Sequence, residues 1–153
     1  MTDGSGRPQA DRARLRLARE IISLPRWGSS VLWERLRSRD PQASASSGAL
    51  VSYLHLAMLR GESQAARDLF VLLLGRVEGI NRSWAFQGAR RATTAGGDPT
   101  LQEDLLQELT LHLWRELARR DDESWEIYFT RALGFAQRHV LTAYMERNGY
   151  WRA

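Results

Sequence analysis

Glu108, His112 and Glu116 recur every four residues, a spacing that lines two carboxylates and an imidazole along one face of a helix. Such donors could ligate a divalent metal, but no second cluster accompanies them, and Arg115 beside Glu116 would oppose a cation. "TAGGDPT", residues 94–100, lacks the lysine of a phosphate loop, and no local motif assembles a serine, histidine and aspartate for nucleophilic attack. There is no cysteine, which excludes disulfides and thiolate metal sites. The chain is expected not to be an enzyme and to need no metal or cofactor. What remains able to act is charged and aromatic surface.

The charge is unevenly spread. All 22 basic residues are arginine, a bias that genome composition alone can produce, though guanidinium favours bidentate contact with carboxylate or phosphate. Residues 1–40 hold nine arginines against five acids, while residues 41–153 hold thirteen of each, so the whole formal charge of +4 sits in the first quarter. From Asp98 to Glu126 nine acids face three arginines. From Arg131 onward four arginines and His139 face Glu146 alone. An acidic segment followed by a basic one predicts two partners, or one partner met from two sides.

A chain of 153 residues can bury one real core. Its longest uncharged apolar run, "ALVSYLHLAML", is too short to span a membrane, and the N-terminus lacks a signal-peptide pattern. A cytoplasmic location and no membrane partner are expected.

Helical spacing dominates the rest, and no stretch alternates as a strand would. The expected fold is all-α, a compact helical bundle with extra N-terminal helices. Residues 1–10 read as a disordered tail, 11–40 as basic N-terminal helices broken at Pro25, and 41–48 ("PQASASSG") as a linker. Residues 49–147 read as the main helical domain, with an exposed loop at 93–99, and 148–153 as a C-terminal tail. Ser29 or Ser30, Ser63, Thr100 (with Glu103 closing a capping box) and Ser124 are the expected N-caps. The arginines at 12, 14, 16 and 19 are read as a solvated helix face in preference to a phosphate-contacting one.

Leu101, Leu105, Leu109, Leu113 and Leu117 step by four and should face a core, with Leu106 and Trp114 widening the stripe. Asp104, Glu108, Leu111 and Arg115 step by four, three and four along another face. An acidic stripe holding one leucine suits a basic partner with an apolar notch. Spacing alone favours the plainer reading, a solvated face with one stray leucine, because single exposed leucines are common.

The residues "EDLLQELTLHLW", Glu103 to Trp114, resemble the most recognisable helix of the bacterial RNA polymerase sigma factors: an acid pair, an apolar pair, Gln-Glu and a closing Leu-Trp in that order. Upstream, "LRGESQAARDLFVLLL" is similar to an earlier helix of the family, with Gly61, Ala65 and Leu69 in place. Downstream, "YFTRALGFAQRHVLTAYM" resembles the promoter-reading helix. The resemblance spans about residues 50–147, lies within the second conserved region of the sigma-seventy superfamily, and is of the extracytoplasmic-function kind. It implies that Asp104, Gln107, Glu108 and Leu111 dock on the clamp helices of the polymerase β′ subunit. It also implies that Trp125, Tyr128, Phe129 and Arg131, with Arg138, His139 and Arg147 as a basic stripe, contact the minus-ten promoter element, aromatics stacking on unpaired bases and arginines meeting phosphates. From spacing, Phe135 and Trp114 are read as core, whereas Trp125, Tyr128 and Phe129 divide between core and base platform.

The chain departs from the family pattern in the last helix. Ala136-Gln137-Arg138 stands where Ala-Arg-Asn is frequent, Thr142 replaces an acid, and the closing basic run is reduced to "MERNGYWRA". Nothing after Arg147 resembles the helix-turn-helix that reads the minus-thirty-five element. Two functions follow. One is a transcription initiation factor that binds core polymerase and promoter DNA. The other is a sigma-like module kept for protein binding, held by an anti-sigma or other regulatory partner or in a larger complex, with little DNA binding of its own. Balanced charge over residues 41–153 favours the second, because nucleic-acid binding normally draws on clustered positive charge.

Overall fold

Each regular element is an α-helix in the computed structural model, which describes residues 6–40, 42–92, 98–119 and 123–150, and no strand occurs among them. In chain order the helices are α1 (Gly6–Ser23), α2 (Ser30–Arg37), α3 (Ser47–Leu59), α4 (Ser63–Ala92), α5 (Pro99–Ala118), α6 (Ser124–Ile127) and α7 (Phe129–Arg147). They belong to two compact units, residues 1–73 with 120–130 and residues 74–119 with 131–153. The segment 49–147, expected as one bundle, contributes to both units, and the N-terminal helices belong with residues 49–73.

Helix α1 begins at Gly6, so the disorder expected over 1–10 is corrected for residues 6–10; residues 1–5 lie outside the described part. Pro8 is tolerated there because the first turn of a helix has no intrahelical partner for the missing N–H. Proline's restriction on its predecessor takes Leu24 out of the helix before Pro25. The expected linker is also shorter than read: Ala45 is buried, and Ser46 caps α3 by accepting from Ala49 N. The Glu20 carboxylate of α1 accepts in turn from the Ser46 amide and hydroxyl, fixing the start of α3 to α1.

Helix α3 is buried on nearly all sides, through Leu50, Val51, Tyr53, Leu54, His55 and Ala57 among others, as an apolar run without a polar face should be. It ends in a reverse turn at Gly61, whose φ of 71° is in the left-handed region, with Glu62 N donating to Ala57 O. Ala66, Leu69, Phe70 and Leu73 continue this core along the first part of α4. Short α6 packs on α1 and α3. A Cβ added to Gly48 would stand 2.1 Å from the Glu126 carbonyl oxygen, so only glycine permits this approach. One turn or two along, His55 Nδ1 meets Glu126 Oε1 at 2.7 Å.

In the second unit the leucine stripe of α5 performs as its period demands, with Leu101, Leu105, Leu109, Leu113 and Leu117 all buried. Ala85 and Ala89 of α4, Leu101 and Leu105 of α5, and Leu141 and Met145 of α7 form one core cluster, flanked by Trp84, Leu106 and Tyr144. Buried Asn81 of α4 accepts a hydrogen bond from Gln137 Nε2 at 2.9 Å. Gln137 thus turns inward.

Three caps differ from expectation. Ser63 is the first residue of α4, not its cap. Asp98, not Thr100, caps α5, its side chain accepting from Thr100 N, because Pro99 occupies the first helical position and forces an extended residue before it. Ser124 lies inside α6, and the helix expected from Trp125 to Arg147 is broken at Tyr128, whose φ and ψ of −135° and 50° separate α6 from α7. Of the two candidates for α2, Ser29 is the cap. The loop expected at 93–99 is described only at Asp98 and Pro99, and the tail at 148–153 only to Tyr150.

Candidate functional site

On α5 the four residues implied for polymerase docking divide between two lines. The outermost line is Glu103, Gln107, Leu111 and Arg115, all exposed, with Leu111 at 52%. Asp104 and Glu108 lie on the flank turned toward α7 and are already engaged. Tyr144 donates its hydroxyl to Asp104 Oδ2 at 3.1 Å, and Arg147 Nη2 pairs with Glu108 Oε1 at 3.1 Å. Glu103 lies 3.7 Å from Arg82 of α4. Burial, then the bond to Asp104, pushes the Tyr144 hydroxyl up to about 12. The single acidic face read from spacing is therefore corrected: α7 occupies half of it, and what α5 offers outward is Gln107 and Leu111 between opposite charges.

His112 continues the flank. Its ring stacks on that of His139 with centroids 5.0 Å apart, and its Nε2 lies 3.5 Å from Glu116 Oε1. Burial lowers its pKa and outweighs the opposing pull of Glu116. Glu108, taken by Arg147, does not join these two, and among the described residues no group of three such side chains is placed to hold a metal ion.

The residues implied for promoter contact are drawn from both units. Trp125, Tyr128 and Phe129 belong to the first unit; Arg131, Arg138, His139 and Arg147 belong to the second. Trp125 is only 4% exposed and meets the edge of Phe129 at 5.6 Å, so of its two readings the structure supports core. Tyr128 and Phe129 are half-buried. Arg147 is spoken for by Glu108 and lies 5.5 Å over the Tyr144 ring, so it closes the flank of α5 instead of extending a free basic stripe.

Three described aromatics, Phe86, Phe135 and Tyr150, are exposed, and of these Phe135 is one that spacing assigned to the core. Phe135 is 53% exposed, with the guanidinium carbons of Arg131 and Arg138 at 5.6 and 4.8 Å from its ring centroid. Both arginines and His139 are exposed on the same stripe of α7. The missed signal was the charge bracket itself. Arginines at i−4 and i+3 share the face of the residue between them, so burying Phe135 would have meant burying two cations with it. An exposed cation–π contact stabilises by only about 0.5–1 kcal/mol, whereas a stacked base contributes about 1–3 kcal/mol. No family model matches this chain, and neither a curated protein nor a solved structure does.

Proposed function

We propose that this chain is a sigma-factor-like transcription initiation protein, which docks on the β′ clamp helices of RNA polymerase through the outer line of α5 and holds the melted minus-ten strand on α7. The observation that carries the reading is the exposed Phe135 between Arg131 and Arg138, a base-sized aromatic platform with a phosphate ligand on either side. Leu111, exposed on a helix whose sequence resembles the family's docking helix, supplies the apolar point of the polymerase contact. The reading differs from the family pattern in its division of labour. Asp104, Glu108 and Arg147 hold α5 and α7 together, and Gln107 and Leu111 meet the partner.

A second reading, a protein-binding adaptor with little DNA affinity, draws on the same engaged acids and on the balanced charge of residues 41–153. A pulldown on core polymerase tests the docking half of the proposal. Leu111→Asp, at a site whose side chain is half in solvent, should leave the fold intact and reduce retention of the chain by at least about thirtyfold, the equivalent of one lost hot-spot residue of about 2 kcal/mol. Retention equal to that of the unaltered chain would remove α5 from the account.

A further inference from the structure

Helix α1 carries a face for which the fold provides no use. Its inward side is Ala13, Leu17, Glu20 and Ile21, packed toward the first unit's core and the cap of α3. Its acids are consumed locally: Asp11 pairs with Arg14, Glu20 holds Ser46, and Arg14 reaches Glu123 beside α6. Arg14 thus leaves the set of four arginines read as one solvated face. Arg12, Arg16 and Arg19, at i, i+4 and i+7, point the opposite way, exposed, with no ion pair to any described residue. They form a stripe about 10 Å long on the helix surface.

We propose that this stripe is a binding face for the phosphate backbone of duplex nucleic acid. Three guanidiniums on one line, with both described acids of α1 bonded to other partners, present a row of bidentate phosphate ligands. About 10 Å of duplex carries roughly six phosphates, enough for all three to be engaged at once. The charge of the chain concentrates here too, since residues 1–40 hold the entire net +4. A lipid surface fits less well. The large apolar residues on the outer side, Leu15 and Ile22 (51% and 83% exposed), are two turns apart and build no continuous strip to sink into acyl chains. This face is independent of the single-strand platform on α7: it reads backbone charge, not bases.

The test is binding of the full chain to a random-sequence duplex without a promoter, followed by fluorescence anisotropy across a salt series. Removing three phosphate contacts in the triple variant Arg12→Ala, Arg16→Ala, Arg19→Ala should reduce the slope of log affinity against log salt by about 2.7. Between roughly 50 and 200 mM salt the unaltered chain should therefore lose about fortyfold more affinity than the variant. The substitutions are outward-facing and raise helix propensity, so helical content should not fall. The pair Leu15→Ser, Ile22→Ser should leave duplex binding unchanged. An unaltered slope in the triple variant, or no duplex binding by the unaltered chain at low salt, overturns the proposal. So does binding to phosphatidylglycerol vesicles that the Leu15 and Ile22 changes abolish while the triple variant keeps full duplex affinity.

Discussion

Phe135 and Tyr144 lie nine residues apart on α7 and show two ways in which an aromatic side chain can be half-committed to a fold. Phe135 contributes little to the core, since its ring faces arginines and solvent. Tyr144 packs against the core cluster and donates a hydrogen bond to Asp104. That difference yields a pH prediction. The folded chain holds the Tyr144 proton more tightly than the unfolded chain, whose tyrosine titrates near about 10. Its contribution to stability is complete below about pH 10 and is lost as pH rises toward about 12. Urea melts across that window should show stability falling with pH, and Tyr144→Phe should flatten the fall. A flat curve for the unaltered chain would remove the Asp104 bond from the account. Of these residues, the leucines of α5 were legible in the sequence because a strict period leaves one face to bury. The apolar period alone placed neither Phe135 nor Trp125, because an aromatic at helical spacing looks the same whether it turns in or out. The neighbouring charges decided Phe135, and Trp125 was decided by its place in the first unit's core.

Helix existence followed from the apolar spacing, but helix ends followed from local chemistry that spacing does not show. Pro99 moved one cap from Thr100 to Asp98, and Tyr128 divided an expected single helix into α6 and α7. The approach of α6 to α3 was invisible in the sequence, where Gly48 reads only as the end of a serine-rich linker. It gives the sharpest prediction at this scale. In Gly48→Ala the new methyl meets the Glu126 carbonyl at 2.1 Å, so the helices must separate and strain the His55–Glu126 contact. The expected cost is about 1–3 kcal/mol, or more if α6 cannot shift, read from chemical denaturation. Gly75→Ala is the matched control. It lies within α4 with nothing inside 4 Å of the added carbon, and should be neutral or stabilising by about 0.5–1 kcal/mol. Equal effects at the two glycines would contradict the close packing of α3 on α6.

For the whole molecule the governing quantity is where charge remains uncompensated. The division into two units left no mark in the sequence, because its boundary falls inside the unbroken helix α4, where periodicity simply continues. The charge pattern was legible from the start, yet its pairing was not: Arg147 and Glu108 belong to the basic and acidic segments, and they cancel one another across α5 and α7. With residues 41–153 balanced overall, the α7 platform has too little field to capture a single strand unaided. On the proposed function it should act once polymerase holds the strand nearby, a gain in effective concentration and not in intrinsic affinity. The most direct measurement is anisotropy of a labelled single-stranded minus-ten oligonucleotide with core polymerase, with and without this chain, comparing the unaltered protein with Phe135→Ala. The account expects weak binding by the free chain, clear binding by the chain with polymerase, and a loss of about 1–3 kcal/mol in the Phe135→Ala complex. Single-strand binding that is the same with and without the Phe135 ring, or that polymerase does not enhance, would contradict it.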